Sequence, residues 1–204
     1  LDCYLLNNSL RSVGGYDLRP GQRTTPDPNG GNRLLRNDLD LGKFTDVTLE
    51  AGIYSSAIGF GLGVTVGDYD RDGWPDLFFL GGGTIAPDKT LLPLPGTLYR
   101  NVQGAKLQNV SAISGTHHAN YYSQGVAVGD VDNDGFADLL VTGYGGLDLF
   151  LNLGDGTFVE SASTRGLVDP SWSTSAGFGD FDGDGFLDLY VAHYVDWSWD
   201  NHPE

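Results

Sequence analysis

Basic residues are scarce. The 204-residue chain carries 11 Lys and Arg against 27 Asp and Glu, a formal charge of -16, which argues against nucleic acid or an anionic membrane surface as its partner. Methionine is absent, the initiator included, and there is a single cysteine, Cys3. No internal disulfide can therefore form, and the apolar strand pattern around Cys3 makes a core filler of it. No apolar run is long enough to cross a bilayer as a helix, so membrane insertion is not expected. Nor does any stretch show a convincing helical period. A leader peptide is missing too, yet Leu1-Asp2 already resembles the end of a motif that recurs downstream. The sequence is thus expected to be an internal piece of a longer chain, whose missing leader says nothing about secretion.

What the chain does have is glycine, 31 residues of it, and three near copies of one nonapeptide. They are Asp68-Tyr69-Asp70-Arg71-Asp72-Gly73-Trp74-Pro75-Asp76, Asp130-Val131-Asp132-Asn133-Asp134-Gly135-Phe136-Ala137-Asp138 and Asp180-Phe181-Asp182-Gly183-Asp184-Gly185-Phe186-Leu187-Asp188. Each sets carboxylates at positions 1, 3, 5 and 9 and glycine at 6. A loop of this spacing can coil around a hard cation, offering alternate side chains and the backbone carbonyl of position 7, here Trp74, Phe136 and Phe186. Asp and Gly are also what hairpin loops prefer. Against that simpler explanation, four carboxylates within ~5 Å repel by roughly 3 kcal/mol per pair at an effective dielectric of about 20, and all twelve Asp positions are filled. About three bound Ca²⁺ are expected, calcium being favoured over magnesium because the oxygen count is high and no phosphate-bearing partner is implied. Three such ions would bring the net charge to about -10. An EF-hand does not fit: position 12 is Phe79, Val141 or Val191 rather than Glu, and the flanks have strand character.

Aligning position 9 of each loop exposes a longer repeat. Asp2, Asp76, Asp138 and Asp188 open equivalent apolar segments. Asn32 to Asn37, Gly96 to Asn101 and Leu147 to Asn152 follow, and then Lys43 to Thr48, Lys106 to Ser111 and Thr157 to Ser161. Each unit therefore holds four short strands, near 62 to 67, 76 to 80, 97 to 101 and 106 to 110 in the first complete case. Lys43-Phe44-Thr45-Asp46-Val47 has the look of a half-buried strand, and Asn152-Leu153-Gly154-Asp155-Gly156 is a hairpin signal. Spacing between units shrinks along the chain, nearly all of it in the connection between second and third strands: Asn7 to Asn32, then Gly82 to Gly96, then Gly143 to Gly146. One varied loop on a constant scaffold is where recognition usually sits.

The expected fold is all-β: β-propeller blades of four antiparallel strands, in a single partial domain with units 1–61, 62–123, 124–175 and 176–204. The Gly- and Ala-rich first strands would line the channel. A β-solenoid is the structural rival, though its coils are usually shorter.

The repeats resemble the FG-GAP or VCBS repeats of integrin-α-type propellers, on Phe60-Gly61, Gly177-Phe178-Gly179 and the three Asp-rich loops. With Leu98-Tyr99-Arg100-Asn101, Phe44-Thr45-Asp46-Val47-Thr48 and Ala51-Gly52-Ile53, the pattern is similar to secreted proteins of the cartilage-acidic-protein or ASPIC/UnbV type. That resemblance implies a propeller of about seven blades, of which this chain supplies three to four, with calcium on one face, an extracellular or cell-envelope setting, and no catalytic centre.

Antiparallel order puts loops 1-2 and 3-4 at one end of a blade and loops 2-3 and 4-1 at the other. The end away from the metal loops would gather Tyr16, Tyr54, His117, His118, Tyr121, Tyr122, Tyr144, Trp172, Tyr194, Trp197 and Trp199, a surface suited to an extracellular protein or a glycan. Some of these rings would merely cap blade cores. His117 and His118 have no third ligand or nucleophile at a telling spacing. The leading expectation is a non-catalytic calcium-binding recognition or adhesion module. The alternative is the propeller domain of a polysaccharide lyase or hydrolase, needing an acid-base set such as His117 or Tyr121 beside Arg11, Arg19, Arg23 or Arg33.

Overall fold

Strands form where short apolar runs are cut by Asp and Gly, and strands adjacent in the chain pair antiparallel, as sequence neighbours usually do. The structure, a computed structural model, describes residues 2–5, 31–53, 62–86, 88–198 and 200–201. Tyr16, Tyr54, Trp199, Phe60-Gly61, Arg11, Arg19 and Arg23 lie outside the described residues. Two compact units are present, one of Leu1–Gly61 with Asn101–Gln108, the other of Leu62–Arg100 with Asn109–Glu204.

In the first unit, β1 (Cys3–Leu5), β2 (Arg33–Asp38) and β3 (Lys43–Asp46) form an antiparallel sheet in that order. The register aligns Cys3 with Leu35 and Leu35 with Asp46. Cys3 is half-buried rather than a core filler. The half-buried character expected of β3 is corrected as well. Phe44 is 53 % exposed and only Thr45 in the strand is partly covered, because the buried Val47 follows at odd spacing from Phe44 and falls outside the ladder.

Two further sheets are four-stranded, antiparallel and of blade type. One runs β4 (Val64–Gly67), β5 (Asp76–Phe79), β8 (Thr97–Val102), β9 (Lys106–Asn109). The other runs β10 (Tyr122–Gly129), β11 (Asp138–Tyr144), β12 (Gly146–Asn152), β13 (Phe158–Glu160), and β14 (Ser173–Gly179) pairs with β15 (Asp188–His193). Between β5 and β8 the variable connection carries a hairpin of its own, β6 (Gly83–Ile85) with β7 (Leu91–Pro93). Strands of three residues are too short to show a period, which is why that hairpin is invisible in the sequence. In the next blade the same connection has shrunk to a turn that pairs Gly143 with Gly146. The expected absence of helix is corrected by one turn, α1 (Ser111–Ser114), closed by Gly115 at φ 80°. A single turn is likewise too short to carry a helical period.

Sheet β10–β13 is buried on both faces. Leu139, Val141, Phe150 and Phe158 pack with Tyr69, Phe78, Leu80, Leu98 and Val110 of the preceding sheet. Leu140, Leu147, Leu149 and Leu151 pack toward Ala176, Phe178, Leu189 and Val191. Two-sided burial explains the continuous Leu139-Leu140-Val141 run, where a one-sided strand would alternate. Each fully buried Leu or Phe contributes roughly 1.5–3 kcal/mol.

The inner strands approach closely. A Cβ on Gly125 in β10 would overlap the Thr174 carbonyl oxygen of β14, whereas one on Gly177 would meet nothing within 4 Å. Gly125→Ala is therefore expected to cost about 1–3 kcal/mol by overpacking and Gly177→Ala to stay within about 0.5 kcal/mol of the parent, as read by urea denaturation. Equal losses at the two sites would contradict this packing.

Candidate metal centres

The three acidic loops connect β4 to β5, β10 to β11 and β14 to β15, and all three close with the same hydrogen bonds. At position 1, Asp68 accepts from the backbone N–H groups of Asp72 (3.1 Å) and Gly73 (2.9 Å). Asp130 does the same with Asp134 (3.1 Å) and Gly135 (2.8 Å), and Asp180 with Asp184 (3.1 Å) and Gly185 (3.0 Å). At position 9, Asp76, Asp138 and Asp188 each accept from the N–H of position 2, that is Tyr69, Val131 and Phe181, at 3.1, 2.8 and 2.9 Å. The turn requires left-handed backbone twice. Gly73, Gly135 and Gly185 have φ of 89°, 91° and 91°, and position 4 is left-handed too, at Arg71 (57°), Asn133 (57°) and Gly183 (80°). The position-4 requirement was not foreseen, since only Gly183 and Asn133 are residue types that announce it.

This closure gathers carboxylate oxygens of positions 1, 3 and 9 within 4.8 Å of one another: Asp68, Asp70 and Asp76; Asp130, Asp132 and Asp138; Asp180, Asp182 and Asp188. Each group could hold a metal ion. The position-5 side chains point elsewhere in the turn, Asp72, Asp134 and Asp184 accepting from the N–H of position 7, Trp74 (3.0 Å), Phe136 (2.8 Å) and Phe186 (2.8 Å).

Charge at the first loop is already partly balanced. Arg100 Nε lies 2.6 Å from Asp70 Oδ2, and its Nη2 lies 3.1 Å from Asp72 Oδ2. Asp70 Oδ1, by contrast, is buried and has no hydrogen-bond partner among the described residues. A carboxylate oxygen so placed beside other carboxylates is open to a cation. In the second loop Arg165 approaches Asp132 at 3.5 Å. Asp76 and Asp138 are 2 % and 0 % exposed, while Asp188 is exposed. Burial pushes the Asp138 carboxyl up, against N–H bonds from Asn152 and Val131 that hold it down, and the charges of Asp132 and Asp134 push it further. Without a counter-cation the second loop is thus electrostatically uncomfortable.

Arg100 and Asn152 were not singled out as site residues. Their signal was present, because Arg36 and Arg100 precede Asn37 and Asn101 as Leu151 precedes Asn152 in the aligned third strands. The backbone N–H of Asn37 donates to Asp2 Oδ1 at 2.8 Å, and that of Asn152 to Asp138 Oδ1 at 2.8 Å. The same bond in both units gives Asp2 and Asp138 equivalent places beside the third strand.

At the opposite end of the blades, the β11–β12 turn meets the loop before β14, where Gly145 N–H donates to the Ser171 carbonyl at 3.2 Å. Tyr144, Tyr194 and Trp197 surround Trp172, with ring centroids 5.4 Å (Tyr144), 5.6 Å (Tyr194) and 5.6 Å (Trp197) from it. Tyr194 is 70 % exposed, and the Trp172 indole N–H is buried without a partner among the described residues. Tyr121 lies flat on Gly146, and Tyr122 packs on Gly83. Those two rings are held by backbone and do not join the Trp172 group. His117 and His118 are exposed. Burial pushes the carboxyl of Asp148 up, against the hydrogen bond from Asn120 Nδ2 at 2.6 Å. A depression of about 310 Å³ beside Tyr121 is lined by Asn120, Glu160, Val168 and Asp169. Ser173 donates to Asp169 Oδ2 (2.8 Å) and His193 Nε2 faces the same oxygen (2.8 Å). The hydroxyl thus serves the aspartate rather than the histidine, and no nucleophile is activated there.

Comparison with known proteins matches the FG-GAP-like repeat over residues 88–141 and again over 130–191. The match speaks for the general repeat and not for a subgroup within it. No curated protein matches the chain. Among the described residues no helix is long and apolar enough to cross a membrane.

Asp169 gives a pH test of the β14–β15 end. Burial raises its carboxyl, but hydrogen bonds from His193, Ser173 and Ser171 outweigh that and hold it at about 2. Because the folded value lies below the unfolded one, its stabilisation is complete above the unfolded value near 3.8 and is lost as pH falls toward 2. Asp169→Asn should cost of order 1 kcal/mol at neutral pH and flatten that part of the acid limb in urea melts taken across pH. An unchanged acid limb would contradict the assignment.

Proposed function

This chain belongs to the FG-GAP-like repeat family, and on that premise we propose that it is a non-catalytic recognition module of the extracellular space or cell envelope. Its blade loops are fixed by calcium, and the opposite blade ends contact a protein or glycan. The single observation that carries the reading is the threefold recurrence of one closed turn that brings three carboxylates within 4.8 Å. Asp68, Asp70 and Asp76, and their equivalents in the other two loops, would hold the ions. All donors are carboxylate oxygens, the hard set that suits calcium, and no phosphate site is present among them to favour magnesium. When bound, the cation would supply the positive charge that lets buried Asp138 stay ionised. No loop offers the bidentate Glu of tight sites, so affinity suits a calcium-rich exterior better than a cytosol.

The fixed loops hold the strand ends, and the strands carry that rigidity to the aromatic end. There Trp172 is clamped by Tyr144 and Trp197, which leaves Tyr194 outward as a stacking surface. With a net charge of -16, polyanions are repelled, so the partner is a neutral glycan or a protein surface with basic groups.

Excess EGTA should lower the melting temperature of the protein, since a site filled at 100 times its Kd contributes about 2.7 kcal/mol. The triple variant Asp70→Asn, Asp132→Asn and Asp182→Asn should melt alike with and without calcium. A parent melt indifferent to EGTA would sink the calcium reading. For the aromatic end, a glycan array paired with a panel of basic protein ligands is expected to yield a binder that Tyr194→Ala weakens at least tenfold. Binding untouched by that change would remove the proposed surface.

A further inference from the structure

The three acidic loops are joined to one another by side chains that no ion would touch, and the joints recur at the same loop positions. Asn152, 2 % exposed at the end of β12, is the first joint. Its Nδ2 donates to the Tyr69 carbonyl of the first loop at 2.8 Å and to the Ala137 carbonyl of the second at 3.1 Å. Its backbone N–H donates to Asp138 Oδ1 at 2.8 Å, and its Oδ1 accepts from Gly154 N–H at 3.0 Å. Position 4 provides the others. The Arg71 guanidinium leaves the first loop and sits 4.6 Å over the ring of Phe136 in the second. Asn133 Nδ2 leaves the second loop and donates to the Gly185 carbonyl of the third at 3.0 Å. Both residues stand on left-handed backbone, at φ 57° each, a conformation that Asn adopts readily and that in Arg is uncommon.

We infer that cation binding in successive loops is coupled, with Asn152 and Arg71 linking the first loop to the second and Asn133 the second to the third. This rests on the calcium reading above. Each loop is a two-state element: repulsion among its carboxylates opens it and a cation closes it. Closure of the second loop sets Asp138 and Ala137, hence Asn152, hence the Tyr69 carbonyl, which belongs to the residue whose N–H holds Asp76. The same closure fixes Phe136 as the platform for Arg71. A first loop whose partners are already placed has less to order when its own ion arrives, and that difference is a coupling free energy. The third loop carries Gly183 at position 4, so it receives the linkage through Gly185 and passes none on by this route.

Terbium(III), which occupies calcium sites, reads the first loop alone, because that loop carries Trp74 at position 7 where the others carry Phe136 and Phe186. Sensitised emission excited at the red edge of tryptophan absorption is the signal, and Trp74→Phe is its control. Salt is kept high to screen direct charge effects between loops. Disabling the second loop by Asp132→Asn is expected to weaken first-loop affinity about fivefold or more. In an Arg71→Gln background the loss should shrink, and in Asn152→Ala it should fall below twofold. Should Asn152→Ala fail to fold, Arg71→Gln still decides. Amide exchange over Tyr69 to Gly73 provides a second readout, rising on Asp132→Asn in the parent only. First-loop affinity indifferent to Asp132→Asn would overturn the coupling while leaving metal binding intact. A loss equally large in every background would overturn the assigned route. Absence of any Trp74-dependent emission would overturn the calcium reading itself, and the coupling with it.

Discussion

Carboxylates that repel one another, pinned together by backbone N–H groups, are the constraint on which this architecture depends. Each acidic loop converts a hairpin connection into a closed ring of hydrogen bonds: positions 5 and 6 to position 1, position 2 to position 9, position 7 to position 5. Those bonds offset part of the repulsion. They also leave oxygens such as Asp70 Oδ1 buried and, among the described residues, unpartnered. The first loop relieves itself further with Arg100, the second has a more distant Arg165, and in the third no ion pair is found among the described residues. The three loops share geometry and differ in how much positive charge the protein already provides.

That local constraint connects to packing through position 2 and the strand that follows position 9. Tyr69 is buried against Phe158 at 5.7 Å, and its phenol is pushed up to about 12, chiefly by burial and then by the charge of Asp70. Val131 packs with the cluster around Leu140. Phe181 is exposed, as is the rest of its loop. Each loop is therefore seated only as firmly as its second residue is buried. Downstream of position 9, the continuous apolar strands β5 and β11 run straight into the cores. Order in a loop and order in a sheet are two ends of one segment.

Much of this was legible in the chain. Acidic residues at positions 1, 3, 5 and 9, repeated three times, are too improbable a pattern for ordinary turns, and aligning on Asp2, Asp76, Asp138 and Asp188 located the strands within about two residues. The shared bond from Asn37 to Asp2 and from Asn152 to Asp138 confirms that alignment in atoms. What was illegible has physical reasons. The hairpin β6–β7 and the turn α1 are shorter than any period. Exposure of Phe44 depends on what covers a strand, which alternation does not state. Of the eleven rings and imidazoles expected at the far end, the eight among the described residues divide by contacts between loops: Tyr144, Trp172, Tyr194 and Trp197 meet, Tyr121 and Tyr122 are taken up by Gly146 and Gly83, and His117 and His118 stay apart. That the carboxylates of positions 1, 3 and 9 gather while position 5 caps the N–H of position 7 also follows from how the turn closes, not from residue type.

On the proposed reading, function divides between the two ends of the blades. One end is acidic, repeated and internally braced, with the character of a structural ion site. The other is aromatic and varies from unit to unit, with a full hairpin in one blade where the next has a tight turn. Equilibrium dialysis of the protein against radiolabelled calcium at millimolar concentration tests the link between them most directly, because it counts ions without assuming any partner. The account predicts about three bound per chain, released by EGTA. Retention of none would contradict it.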